Sequence, residues 1–151
     1  AQQETAVLAA TEFHDYTQVW WDGSANGHTT GQIQDEVDAI EAWLAAIGHD
    51  RWLYVVSNQL NSGAIYDDMQ DLAQYLRETY GGVHVFDPQP VSVPFAISDP
   101  SDPGYADDQA ALAAGRWPRS MYQADGIHLK PALMRAIAKA KAAALEAVMA
   151  L

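Results

Sequence analysis

Between Gln32 and Ile47 the apolar residues Ile33, Val37, Ile40, Trp43, Leu44 and Ile47 recur at three- and four-residue spacing, with Asp35, Glu36, Asp38 and Glu41 toward the front. That period predicts an amphipathic helix whose acids suit its dipole and which Gly48 ends. The flanking segments have a different rhythm. Tyr16 to Trp21 is aromatic and β-branched and stops at Asp22-Gly23, while Trp52-Leu53-Tyr54-Val55-Val56 is a continuous apolar run. Both predict strands, the second covered on both faces. A further helix is expected from Tyr66 to Tyr80 on Met69, Leu72, Ala73, Leu76 and Tyr80, broken by Gly81-Gly82, and a third strand over Val83 to Phe86. At the start, Gln2 to Phe13 carries a modest helical pattern in Ala6, Val7, Leu8, Ala10 and Phe13.

After Phe86 the pattern loosens. Pro88, Pro90, Pro94, Pro100 and Pro103, with interspersed Asp and Ser, predict an irregular excursion over residues 88–106. A short helix is expected over Asp107 to Ala114, then a turn at Gly115-Arg116-Trp117-Pro118, and Pro131 opens a last helix from Ala132 to Ala150. Strands alternating with helices, without a hairpin signal, predict an α/β domain over residues 1–151 with a parallel sheet. In such sheets ligands gather outside the carboxyl ends of the strands, where Asn26, Asn58 and Asp87 stand.

At 151 residues the chain has the size of one domain. Its net charge of −12 disfavours nucleic acid or an anionic membrane surface as the main partner. The absence of cysteine excludes a thiolate nucleophile, a disulfide framework and a cysteine zinc site. No apolar run is long enough to span a bilayer and no signal peptide is expected at the N-terminus, where Ala1 in place of methionine is compatible with processing or with a piece of a longer protein.

The densest chemistry lies in Ala124-Asp125-Gly126-Ile127-His128-Leu129. An aspartate three residues before a histidine at a turn can hold one ring nitrogen and leave the other facing a cleft, the orienting half of a hydrolytic triad. Equally, Asp125 can cap the last helix and leave His128 a surface residue. Gly126 permits a sharp turn, and Ile127 and Leu129 are expected to anchor it.

Asp125-Gly126-Ile127-His128-Leu129 followed by a helix resembles the last motif block of the SGNH (GDSL-type) serine hydrolases. The strand into Trp21-Asp22-Gly23-Ser24-Ala25-Asn26, the helix after it and Asp50-Arg51-Trp52-Leu53-Tyr54-Val55-Val56 are similar to their third block and the strand that follows. The segment Gly115-Arg116-Trp117-Pro118-Arg119-Ser120 is also similar to members of this group. The resemblance implies a three-layer α/β/α flavodoxin-like fold, with His128 as general base and Asp125 as its orienter. It further implies Gly23 in the oxyanion loop and Asn26 as oxyanion donor.

Two departures qualify the match. The residue two after Gly23 is Ala25, and Asn26 comes one later, so Asn26 is either a displaced donor or a turn residue beside Gly27. The family's serine block is missing: nothing before Tyr16 resembles a strand ending in Gly-Asp-Ser. Ser24 is the one serine in a comparable setting, but the helix and strand after it match the third block better. Ser57, Ser62, Ser92, Ser98, Ser101 and Ser120 read as loop or turn residues. About three strands are therefore expected, the carboxyl-terminal portion of the fold, with the serine supplied by a missing N-terminal portion or a second polypeptide. In the family's strand order the strand ending at Trp21 would then present an edge needing cover.

The remaining features read more plainly. His14, His28, His49 and His84 share no metal-ligand spacing on a helix, so no metal or cofactor is expected. Asp99, Asp102, Asp107 and Asp108 form an acidic excursion, read as solvated. Trp20, Trp21 and Trp52 fit a core, whereas Trp117, together with Asn58 at a strand end, is a candidate to bind substrate, its ring offered to a sugar or acyl group. The resulting expectation is an esterase acting on small acyl esters, with acylated carbohydrate as the substrate class. The alternative is a non-catalytic binding or structural module retaining the hydrolase fold, in a secreted or phage-particle protein; either way the location expected is secreted or virion-associated rather than cytoplasmic.

Overall fold

A computed structural model describes residues 16–21, 30–46, 48–56, 73–80, 82–126 and 128–151. The chain is a mixed α/β domain. Its sheet runs β1 (Gln18–Trp21), β2 (Trp52–Val55) and β3 (Val85–Phe86), all parallel and in that spatial order. Helices α1 (Thr30–Ala46), α2 (residues 73–80), α3 (Gln89–Ser92), α4 (Tyr105–Ala113) and α5 (Pro131–Met149) accompany it. Register pairs Gln18 with Trp52 and Tyr54 with Val85, and β2 extends toward β3 through Tyr54 N–H to the His84 carbonyl (2.8 Å) and Val56 N–H to that of Phe86 (3.0 Å).

The core divides because β2 alternates. Successive side chains of a strand point to opposite faces, so Trp52, Tyr54 and Val56 join one cluster and Leu53 and Val55 another. On the first face they meet Val37, Ile40, Trp43 and Leu44 of α1 and Ala73 and Leu76 of α2. On the second they meet Phe86, Trp117, Met121, Leu129 and, from α5, Leu133, Ile137 and Val148. A continuous apolar run is what a strand buried on both faces requires, and each such side chain contributes about 1.5–3 kcal/mol by leaving water.

Local signals place the element ends. Gly48 has φ +67°, its N–H reaches the Ala45 carbonyl (3.1 Å) and His49 N–H that of Leu44 (2.9 Å), a Schellman closure of α1. No acid occupies the first turn of α1, so the expected dipole match at its front is corrected; Asp38, farther along, instead accepts hydrogen bonds from the Tyr75 and Tyr80 hydroxyls. The third strand is shorter than expected because the turn around Gly82 (φ +72°) occupies residues 82–84. The proline-rich excursion contains helix α3 and a 3-10 turn at Val93–Phe95, with Pro90 and Pro94 each in a first helical turn where the missing N–H costs nothing. The expected helix at Gln2–Phe13 and residues 66–72 of the helix expected from Tyr66 to Tyr80 lie outside the described residues.

Asp108 corrects the reading of a solvated acidic excursion. It is buried, and its Oδ2 accepts from Ile97 N–H (2.8 Å) and from the Ser120 hydroxyl, tying α4 to the segments on both sides. Asp99 and Asp102 form local turns with Ser101 and Gly104. Among the described residues, no group of three or more His, Asp or Glu side chains is placed to hold a metal ion, and no helix is long and apolar enough to cross a membrane. Among those residues β1 pairs only with β2, so it lies at the sheet edge, with Val19 exposed.

Candidate active site

The Asp-x-x-His segment is a closed loop rather than the first turn of a helix. After the 3-10 turn Arg119–Met121, Tyr122 and Leu129 form an antiparallel bridge. Gln123 N–H donates to the His128 carbonyl (2.7 Å), Lys130 N–H to that of Met121 (2.8 Å) and the Gln123 side-chain amide to that of Leu129 (3.0 Å). Tyr122 and Leu129 are buried, so the stem is anchored while the loop between them faces water. Helix α5 starts only at Pro131 with Lys130 as its N-cap, so Asp125 does not cap it.

Within the loop, Asp125 holds His128 at two points. Oδ1 accepts the His128 backbone N–H (3.0 Å) and Oδ2 lies 2.8 Å from Nδ1. A carboxylate partner puts the proton on Nδ1, which leaves the lone pair on Nε2. Nε2 takes no partner among the described residues. The side chains are 72% exposed for His128 and 45% for Asp125, so the pair adds little to stability and its value is positional.

Two residues make this geometry available. Gly126 has φ +75°, and a Cβ there would lie 3.0 Å from the Arg119 guanidinium carbon. That guanidinium donates to the carbonyls of Gln123 (3.0 Å) and Ala124 (3.1 Å), bracing the loop from beneath. Sequence reading missed Arg119 as a functional residue. Its position in the segment before the Asp-x-x-His turn was visible, but a side chain folding back onto carbonyls four and five residues on is a tertiary fact.

A small cavity of about 70 Å³ is bounded by the ends of β2 and β3 at Val55, Val56 and Phe86 and by Met134, Ile137 and Lys141 of α5, the helix that follows the loop.

Of the other expected site residues, Gly23, Ser24, Asn26 and Asn58 lie outside the described residues. Trp117 is corrected: it is 1% exposed, packed in the cluster beneath β2, and its indole N–H has no partner among the described residues. A ring with no open face cannot stack on a substrate. The hydroxyls of Ser92 and Ser101 donate within their own turns, to the Gln89 carbonyl and Asp99, whereas that of Ser120 donates to the buried Asp108 twelve residues earlier, so all three are engaged in structure. Comparison with protein-family models, curated proteins and solved structures found no match.

Proposed function

We propose that this chain carries the base and orienter of an SGNH-type serine esterase, on a three-layer flavodoxin-like α/β/α frame. The observation supporting this reading is the two-point grip of Asp125 on His128, which presents an unprotonated Nε2 outward. In the proposed reaction a serine supplied by a preceding segment or an associated polypeptide attacks an ester carbonyl, and Nε2 of His128 takes the hydroxyl proton. Asp125 stabilises the imidazolium and keeps the ring in register. Asn26, with backbone amides in the Gly23 loop, would hold the oxyanion. Collapse breaks the bond to the alcohol, and His128 returns the proton to the departing alkoxide. Water then repeats the cycle on the acyl-serine and frees the acid. Small acyl esters on carbohydrate are the substrate class proposed.

The exposure of the pair and the commitment of those three serines favour a second reading, a binding or structural module that retains the loop without the reaction. Labelling of the purified material, including any associated chain, with a fluorophosphonate separates the two. A serine adduct that disappears in His128→Ala is the outcome expected for an esterase, and intact mass identifies the chain that carries it. Folded material that takes up no label would sink the catalytic reading.

A further inference from the structure

At the amino ends of β2 and β3 lies a larger cleft of about 390 Å³, bounded by Glu41, His49, Asp50, Trp52, Tyr80 and His84. That volume is on the scale of small-molecule sites, about 300–1,000 Å³. It opens where the last turns of α1 and α2 converge on the starts of β2 and β3. Its chemistry is one-sided. No Lys or Arg lines it, and Glu41 and Asp50 bring two carboxylates.

The histidines add acceptors of fixed orientation. The Schellman turn after α1 seats His49 at 7% exposure, with its Nε2 3.0 Å from the Arg51 carbonyl. His84 is stacked on Trp52, ring centroids 4.5 Å apart and planes 9° from parallel, with Nδ1 3.0 Å from the Trp52 carbonyl. A carbonyl only accepts, so each of those nitrogens carries a proton, and in the uncharged form of each ring the other nitrogen is the acceptor. Nδ1 of His49 and Nε2 of His84 have no partner among the described residues. The Tyr80 ring packs edge-on against Trp52, while its hydroxyl is engaged by Asp38. Two carboxylates, two imidazoles, the half-buried Tyr80 ring and the negative ends of two helices favour positive charge carrying N–H donors.

We infer that this cleft binds a small organic cation, an alkylguanidinium or primary ammonium, at a site separate from the Asp125–His128 pair, neither of which lines it. A bound metal ion is the poorer fit, since the carboxylates and imidazoles do not converge as a ligand set. The charge sits against Glu41 and Asp50, its N–H groups are directed to the imidazoles, and the alkyl part lies along the half-buried Tyr80 ring.

The test is titration of the intact protein with n-butylguanidinium and with n-butylurea, its neutral isostere, following the ring resonances of His49 and His84 by NMR. The expected result is saturable movement of both rings by the guanidinium, with a dissociation constant in the millimolar range or tighter, and none by the urea. Glu41→Gln with Asp50→Asn, near-isosteric changes at a half-buried and an exposed position, is expected to weaken binding about tenfold or more with an unchanged unfolding midpoint. The inference is overturned if neither compound moves the rings, or if the two act alike. It is equally overturned if the shifts spread over the acidic surface and persist in the double variant, which is counter-ion binding. Should the double variant fold poorly, the comparison of the two compounds on the unaltered protein still decides.

Discussion

Replacing Gly126 with alanine tests the packing beneath the Asp-x-x-His loop. At φ +75° an L-residue carries about 1–2 kcal/mol of backbone strain. The added Cβ also meets the Arg119 guanidinium at 3.0–3.2 Å. A guanidinium at the end of a flexible side chain yields by swinging away, and the cost is then its hydrogen bonds to the Gln123 and Ala124 carbonyls. Both are exposed and rehydrate, so together they are worth about 1 kcal/mol, the low end for such bonds. Gly126→Ala is therefore expected to destabilise by about 2–3 kcal/mol in urea unfolding. In an Arg119→Ala background the steric part is gone and the cost falls to the backbone part, about 1–2 kcal/mol. The double-mutant cycle should thus return a coupling of about 1 kcal/mol. Equal costs of Gly126→Ala in the two backgrounds would falsify the proposed packing of Arg119 under the turn.

Asp108→Ala leaves the Ile97 N–H without its acceptor in a buried site, and a loss of about 2–4 kcal/mol is expected by urea unfolding; Asp108→Asn, which keeps an acceptor, should lose less. Trp117 buries an indole N–H that has no partner among the described residues, so Trp117→Phe should cost well below Trp117→Ala, for which about 3–5 kcal/mol is expected; equal losses would mean that the indole N–H is satisfied in solution. Burial pushes the phenol of Tyr122 up, and burial together with the Asp38 carboxylate pushes up those of Tyr80 and Tyr75, from the usual 10.0. A proton held more tightly in the folded state gives stability that is complete below the unfolded pKa and is lost as pH rises from there toward the folded value. Unfolding midpoints should therefore fall above about pH 10, and Tyr122→Phe should flatten that fall. A full tyrosinate absorbance gain near pH 10 in the folded protein would contradict this.

The candidate site divides along the same line as the fold. Asp125 and His128 were legible as a pair because i and i+3 around a glycine are neighbours in any tight turn, whatever surrounds them. Whether Asp125 capped the helix or gripped the histidine was not, since both use the same carboxylate, and the Tyr122–Leu129 bridge decided it by ending the loop two residues before α5. The expected role of Trp117 failed for a related reason. Beside Pro118 in an irregular segment it looks like a surface aromatic, but the 3-10 turn after it folds that segment under β2 and covers the ring. His49 and His84 share no sequence spacing, and only the parallel pairing of β2 with β3 brings them to one cleft.

The sequence by itself determined the continuous apolar run of β2 and the helical patterns of α1 and α5 to within a residue or two, because hydrophobic patterning is a local property that burial then rewards. It also marked Asp125, Gly126 and His128 as neighbours in one turn, while the Tyr122–Leu129 bridge decided that Asp125 grips the histidine. The tertiary structure alone decided which polar groups went inside and what met across the sheet. Asp108 became a buried strut and Trp117 core, and Arg119 became a brace for the dyad. Those outcomes depend on partners distant in the chain or on the direction a side chain takes, and neither leaves a mark in the spacing of residues.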